Sequence, residues 1–166
     1  MKKVALLMGS DSDLDRLQTT LDHLRKLEIP FEARVMSAHR TPKLVVDFVE
    51  AAPSNGFGVF LCAAGSAAHL AGVVAAHTDL PVIGIPMDNP PLGGLDALLS
   101  TVQMPGGIPV ATVAVGGGGP ANAALFAARI LALGDEALAA RVAAFRSSQA
   151  ETVAKKDARL QAKLEG

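Results

Sequence analysis

The chain has 166 residues, of which half are hydrophobic, and it carries a formal net charge of −1 at pH 7. This length allows one domain with a sizeable core, and the absence of Trp and Tyr means that aliphatic side chains must supply most of it. The charge excludes a nucleic-acid groove as the main function, and the single cysteine, Cys62, excludes an internal disulfide. No metal-ligand spacing, signal peptide or transmembrane stretch is found, so we expect a cytoplasmic protein without a metal site or a membrane partner.

Hydrophobic runs alternate with segments of helical period along the chain. Leucines recur at helical spacing after the first run, Pro42 opens a second helix, and further helices are predicted over 67–76, 95–102 and 120–133. The alternation predicts a three-layer α/β/α sandwich around a parallel sheet of flavodoxin-like order. The five predicted buried strands are residues 4–8, 31–36, 57–63, 82–85 and 110–115.

A last helix is predicted after Gly134, which ends the preceding one. Asp135 and Glu136 suit a helix N-terminus, and spaced apolar residues follow among charged ones. We interpret residues 1–134 as the α/β domain that carries any catalytic site, and residues 135–166 as a C-terminal helix of the same domain. Nothing else in the chain remains for this helix to complete, so it is expected to pack on neighbouring subunits or to be partly frayed.

Four polar or glycine-rich patches each follow a predicted strand directly. Loops that follow parallel strands gather at one edge of the sheet, where ligands bind in open α/β folds. The pattern therefore predicts a single site built from several loops. The patches are residues 9–13, 37–42, 64–69 and 116–120.

The first two patches carry most of the polar chemistry. Ser10, Ser12 and Asp13 suit a phosphate or a ribose, although one of them as a simple helix N-cap is the alternative. His39 can give and accept a proton near neutral pH, and Arg40 offers a fixed fork of donors to a phosphate or carboxylate. A histidine that merely lies on the surface is the competing interpretation of His39.

The third and fourth patches are less specific. Gly65 and Ser66 would let a ligand lie against the backbone beside His69, although His69 could instead face solvent or cap its neighbours. Residues 116–119 are four glycines, which fit an anion-binding nest or an ordinary flexible loop. Taken together, the patches suggest proton transfer on a small phosphorylated substrate.

Five segments, in this order, carry a resemblance to a known family. In them the chain closely resembles the catalytic subunit of phosphoribosylaminoimidazole carboxylase, in the bacterial form that acts as a 5-(carboxyamino)imidazole ribonucleotide mutase. The resemblance covers about residues 4–133, and it departs at Ser66, where glycine is usual, and at 117–119, where a lysine is usual. The segments are Met8-Gly9-Ser10 with Ser12-Asp13, Ser37-Ala38-His39-Arg40-Thr41-Pro42, Ala67-Ala68-His69-Leu70 with Gly72, Gln103-Met104-Pro105 with Gly107-Ile108-Pro109, and Ala121-Asn122-Ala123-Ala124-Leu125.

The resemblance implies an isomerase of de novo purine biosynthesis that needs no cofactor. It would move a carboxylate from the exocyclic nitrogen of an aminoimidazole ribonucleotide to a ring carbon, by decarboxylation and recarboxylation. His39 matches the general acid/base of the family. The resemblance also implies a homo-oligomer, an octamer. A transient contact with the ATP-dependent synthetase is an additional possibility. The implied substrate-binding residues are Ser10, Ser12, Asp13, Ser37, Arg40, Gly65, Ser66 and His69.

Two other functions remain as alternatives. The sister class of the family carboxylates aminoimidazole ribonucleotide directly with carbon dioxide, but it typically has Lys in place of Arg40 and lacks the His69 loop. A non-catalytic nucleotide- or flavin-binding module of the same fold is the second alternative. The absence of Trp and Tyr speaks against a flavin, since flavin rings commonly stack on aromatic side chains.

Overall fold

The computed structural model describes residues 1–164 and contains one parallel sheet with helices on both faces. The strands are β1 (Lys3–Met8), β2 (Phe31–Val35), β3 (Phe57–Ala64), β4 (Val82–Pro86) and β5 (Ala111–Thr112). The α-helices are α1 (Gln18–Lys26), α2 (Pro42–Ala51), α3 (Leu70–Ala75), α4 (Leu95–Val102), α5 (Gly119–Ala132) and α6 (Glu136–Leu164).

The strand order is β2-β1-β3-β4-β5, which is the flavodoxin-like order expected from the sequence. Neighbouring strands end at the same level, because Met8 of β1 pairs with Val35 of β2 and Ala63 of β3, and Ala64 of β3 pairs with Pro86 of β4. The loops that follow β1, β2, β3 and β4 therefore leave the sheet side by side at its carboxyl edge.

Two apolar clusters cover the two faces of the sheet. One joins β1 and β3 to α1 and α5, and the alanines 123, 124, 127 and 128 of α5 are fully buried in it. The other joins the opposite faces of these strands to α2 and α3. Because the central strands are covered on both sides, they are continuous hydrophobic runs in the sequence, without the alternation of a half-exposed strand.

The two outer strands differ from the prediction. β2 was expected to be a buried strand, but residues 33–35 are exposed because β2 lies at the edge of the sheet. β5 was expected over residues 110–115, but only Ala111 and Thr112 pair with β4. The first helical segment also begins with a 3₁₀ helix over Asp11–Leu17, which Ser10 caps by accepting a hydrogen bond from the Ser12 backbone N–H.

α6 has 29 residues and is about 44 Å long at 1.5 Å per residue. Its start is anchored: Leu138 is fully buried, and Val142 and Phe145 pack against the α1–α5 cluster. Every residue from 146 to 164 is exposed, and we call this segment the outer half of α6. The segment is helical throughout, and its packing on neighbouring subunits stays a prediction. Among residues 1–164 no helix is long and apolar enough to cross a membrane.

Candidate active site

One cleft of about 330 Å³ opens at the carboxyl edge of the sheet. The first three patches predicted from the sequence meet there, together with one residue of the loop after β4. The neighbouring strand ends explain this convergence, since each loop begins where its strand stops at the carboxyl edge. The residues that line the cleft are Gly9, Ser10, Ser12, Asp13, Ser37, Ala38, His39, Arg40, Ala64, Gly65, Ala67, His69, Leu70 and Asn89.

His39 and His69 form a direct pair in the cleft. Nε2 of His39 lies 2.8 Å from Nδ1 of His69, and the two rings meet edge to face at 89°. In such a bond one nitrogen donates and the other accepts, so the two facing nitrogens share one proton. The loops after β2 and β3 thus supply two imidazoles that can hold and pass a proton inside one cleft.

Arg40 ties the loop after β2 to the end of β1. Its Nη2 donates to the backbone carbonyl of Gly9 at 2.9 Å, and its backbone N–H donates to Oγ of Ser37 at 3.1 Å. The hydroxyl of Thr41 closes the same turn, because it accepts from the Ser37 N–H and donates to the Ser37 carbonyl. These bonds hold the guanidinium at the cleft, where its remaining donors are available to an anion.

The loop after β1 brings two hydroxyls and a carboxyl group to the cleft. Oγ of Ser10 and Oγ of Ser12 lie 2.8 Å apart, at the N-terminal end of the 3₁₀ helix. Asp13 follows and is only 5% exposed. The N-cap interpretation is therefore correct for Ser10, and the cap lies in the cleft together with Ser12 and Asp13.

Burial raises the pKa of the Asp13 carboxyl group above its ordinary value of 3.8. The positive charge of Arg16 and a hydrogen bond from the Ser10 backbone lower that pKa, while the charge of Asp11 raises it further. Desolvation is the largest of these influences, so the carboxylate is less stable in this environment than it is in water. A ligand that donates a hydrogen bond to Asp13, such as a hydroxyl group, would relieve part of that cost.

Asn89, in the loop after β4, is a cleft residue that the sequence reasoning missed. Its Oδ1 accepts a hydrogen bond from Nη1 of Arg16, and the same guanidinium nitrogen lies 3.4 Å from Oδ1 of Asp88. A Cβ placed on Gly65 would collide with Nδ2 of Asn89, so the amide lies directly against that glycine. The signal that could have found Asn89 is its position, since it follows β4 at the same sheet edge as the other patches.

The fourth patch and Ser66 do not line this cleft. Gly116 and Gly117 border a smaller cavity of about 200 Å³ together with Arg16 and Asp88. Gly116 has φ +56°, and Oδ2 of Asp88 lies 2.9 Å from the position that its Cβ would occupy. Ser66 is exposed, with φ +56°, and is the one predicted substrate-binding residue outside the cleft lining.

The residues of the cleft can hold an anion, bind hydroxyl groups and move a proton. The donors are Arg40 and the hydroxyls of Ser10, Ser12 and Ser37, and the proton carriers are the two histidines. Within residues 1–164 no group of three or more His, Cys, Asp or Glu side chains is arranged to hold a metal ion. Cys62 is buried in the apolar cluster on the α2–α3 side of the sheet, where desolvation strongly raises the pKa of its thiol.

Comparisons with known proteins give close matches over nearly the whole chain. The chain is 52% identical over 153 residues to the N5-carboxyaminoimidazole ribonucleotide mutase of Brucella melitensis, covering 92% of this chain and 94% of that protein. It is 47% identical over 150 residues to the protein of the same name in Bacillus subtilis, covering 90% and 93% respectively. The solved structure of Treponema denticola PurE superposes with a TM-score of 0.86 at 31% identity, covering 95% of this chain and 97% of that one.

A family model described as AIR carboxylase matches residues 3–152. That range includes all five strands and every loop that lines the cleft. The resemblance inferred from the sequence segments is therefore confirmed at the level of the family. The chain belongs to the AIR carboxylase family.

Proposed function

We propose that this chain is an N5-carboxyaminoimidazole ribonucleotide mutase and that the cleft at the carboxyl edge of its sheet is the active site. The activity rests on relatives of that name at 47–52% identity over at least nine-tenths of the chain. The location rests on one observation, the His39–His69 pair beside the Ser10, Ser12 and Arg40 donors in a single cleft. The reaction is part of purine biosynthesis, and it moves a carboxyl group from the exocyclic nitrogen of the substrate to a ring carbon.

The proton balance of this reaction explains the need for a histidine. When carbon dioxide leaves the exocyclic nitrogen, that nitrogen must gain a proton. When the ring carbon then captures the carbon dioxide, that carbon must lose its proton. One group that first gives a proton and then takes one back meets both needs, so we assign this role to His39. His69, bonded to Nε2 of His39, orients the ring and shares its proton.

The remaining cleft residues bind the ribonucleotide in this proposal. Ser10 and Ser12, at the start of the 3₁₀ helix, and Arg40 hold the phosphate and ribose, with Ser37 in the same turn as Arg40. Asp13 accepts a hydrogen bond from a ribose hydroxyl. Gly65, in the loop that ends in His69, lies next to the migrating carboxyl group. Ser66 lies in the same loop, where it is exposed and outside the cleft lining, so its contact with the substrate is the part of this proposal that rests on the sequence resemblance alone.

We further propose that the chain assembles into a homo-oligomer, an octamer, through the outer half of α6. Val153, Leu160 and Leu164 are 65%, 52% and 72% exposed, and their spacing of seven and four places them on one helix face. A partner subunit would bury this apolar face. The enzyme is expected in the cytoplasm, and a transient contact with the synthetase that supplies its substrate would limit the loss of that labile compound.

Separate supply of the two ribonucleotides tests the activity. Purified protein is given N5-carboxyaminoimidazole ribonucleotide without bicarbonate, or aminoimidazole ribonucleotide with bicarbonate, and formation of 4-carboxyaminoimidazole ribonucleotide is followed. We expect efficient conversion of the first substrate and little of the second. Efficient consumption of only aminoimidazole ribonucleotide with carbon dioxide would make the chain a direct carboxylase instead.

A further inference from the structure

The loop after β4 is fixed at both of its polar side chains, although no predicted role falls on it. Asp88 lies between Arg16 and the space left by the missing Cβ of Gly116. Asn89 lies between Arg16 and the space left by the missing Cβ of Gly65. Arg16 does not line the cleft, but it contacts both Asp88 and Asn89, each of which packs against a glycine on its other side.

These contacts set the orientation of the Asn89 amide. Its oxygen, Oδ1, accepts the hydrogen bond from Arg16, and a guanidinium can only donate. The amide nitrogen, Nδ2, is therefore the end that lies on Gly65. Because Asn89 lines the cleft and its oxygen is already bonded, the group that it offers to a ligand is an N–H donor.

The position of this donor indicates which part of a ligand it meets. Gly65 begins the short loop that carries His69, and His69 is bonded to His39. Nδ2 of Asn89 is therefore beside the loop of the proton-carrying pair. A phosphate is better served by Arg40 and the hydroxyls of Ser10 and Ser12. A neutral N–H donor beside the proton-carrying residues suits the carboxyl group that the reaction moves.

We propose that Asn89 binds the migrating carboxyl group through Nδ2, and that Arg16 is a positioning residue that presents the Asn89 amide with its nitrogen toward the cleft. This inference rests on the proposed mutase function. Neither residue carries a proton in the reaction. Their contribution is to bind carboxylated ligands more tightly than the same ribonucleotide without its carboxyl group.

Calorimetric binding of two ribonucleotides tests the role of Asn89. The ligands are 4-carboxyaminoimidazole ribonucleotide and aminoimidazole ribonucleotide, which differ by the carboxyl group. We expect Asn89→Ala to weaken binding of the carboxylated ligand by about tenfold or more and to leave the other within about twofold, as for loss of one hydrogen bond to a charged group. Asn89→Asp should weaken the carboxylated ligand further, because its carboxylate would repel that of the ligand.

A double-mutant cycle with Arg16→Ala tests the positioning role. We expect Arg16→Ala to weaken the carboxylated ligand by roughly threefold to tenfold, and to have no further effect in the Asn89→Ala background. Arg16→Lys, which keeps a cationic donor, should restore part of the loss. Arg25→Ala is the matched control, because Arg25 also forms an exposed ion pair, with Asp22, and lies outside the cleft lining.

Three outcomes for the variants would overturn this inference. Equal weakening of both ligands by Asn89→Ala would show that Asn89 supports the cleft in general. Unchanged binding of the carboxylated ligand would remove Asn89 from the site, and additive effects of the two substitutions would remove Arg16 from its positioning role. If the wild-type protein binds neither ribonucleotide, the proposed function fails first and this inference fails with it.

Discussion

The cleft and the outer half of α6 are both exposed in the single subunit, but their side chains are held in different ways. In the cleft, His39, Arg40 and Asn89 each bond to a residue from another element of the chain. Along the outer half of α6, the side-chain hydrogen bonds run only to residues three or four positions earlier in the same helix. Its large apolar side chains, Val153, Leu160 and Leu164, are more than half exposed and belong to neither apolar cluster of the core.

A single chain therefore orients the side chains of the cleft, but it leaves the apolar side chains of the outer half of α6 without a packing surface. The cleft side chains are oriented by loops that are tied to one another, so their chemistry can be derived from a single subunit. The outer half of α6 lies beyond the last core contact of the helix, at Phe145. A helix this exposed needs a partner surface to contribute to stability, since most helical stability in proteins comes from packing.

The largest effect is expected from Asn in place of the proton carrier. His39→Asn should lower kcat by about 10²- to 10⁴-fold, because the amide cannot transfer the proton that the ring carbon loses. Substrate binding and the thermal midpoint of unfolding should stay close to those of the wild type. His77→Asn is the matched control, because His77 lies outside the cleft and its ring pairs with Glu50. Near-normal turnover of the His39 variant would contradict its assigned role.

The second effect concerns the outer half of α6. Lysine in place of both Val153 and Leu160 should weaken subunit assembly by about tenfold or more, because the charges would be buried in a contact between subunits. Light scattering across a dilution series measures this. The matched control is lysine at Ala158 and Ala162, which lie on the opposite face of the helix. Unchanged assembly of the first variant would show that this face is free.

The third effect is a packing change inside the cleft. Gly65→Ala should destabilise the fold by about 1–3 kcal/mol, because the new Cβ must displace the Asn89 amide. Adding Asn89→Ala should recover most of this loss. Chemical denaturation measures both variants, and Gly118→Ala serves as the control because a Cβ there meets no atom within 4 Å. A Gly65 variant as stable as the wild type would show that the Asn89 contact is easily rearranged.

The smallest effect should appear at Asp13. Its folded-state pKa is raised, mainly by burial, so the folded form binds more protons than the unfolded form between the ordinary value of 3.8 and the raised one. Stability therefore falls as pH rises through that window, and the cost persists at neutral pH. Asp13→Asn should raise the thermal midpoint slightly at pH 7 and not below pH 3.8, while weakening ribonucleotide binding.

Asp15→Asn provides the control for that comparison, because Asp15 is exposed on the same 3₁₀ helix. A variant of Asp13 that loses stability at pH 7 would mean that the carboxylate makes a stabilising contact in the folded protein. An unchanged affinity for ribonucleotide would remove Asp13 from the proposed binding residues.

Much of the fold could be predicted from the sequence because the central strands are buried on both faces. β1, β3 and β4 were located to within one residue at each end, since their hydrophobic runs stop where the polar loops begin. The length of β5 was overestimated, because the mostly apolar segment 110–115 continues past the two residues that pair with β4. Periodicity records burial, and it does not record how much of an edge strand finds a partner.

The cleft was predictable in part for a related reason. The rule that loops after parallel strands converge predicts that the candidate residues meet at one edge of the sheet. In the structure, His39 and seven of the eight substrate-binding candidates line the cleft, and Ser66 lies outside it. Asn89 lies outside the four patches, because Pro86, Met87 and Asp88 separate it from the hydrophobic run of residues 82–85. The same rule cannot identify Arg16, because its contact with Asn89 joins residues 73 positions apart and leaves no local pattern in the sequence. The roles of all these residues stay predictions.

The two glycines that face the loop after β4 have a consequence for how the sequence can change. Position 65 can accept a side chain only if the Asn89 amide moves aside or is lost, whereas position 116, at φ +56°, favours glycine whatever side chain position 88 carries. We therefore expect positions 65 and 89 to vary together among family members, and position 116 to stay glycine. Evolutionary change in sequence at this edge of the sheet should therefore proceed by paired substitutions. Arg16 should be replaced freely only where Asp88 and Asn89 have both already changed.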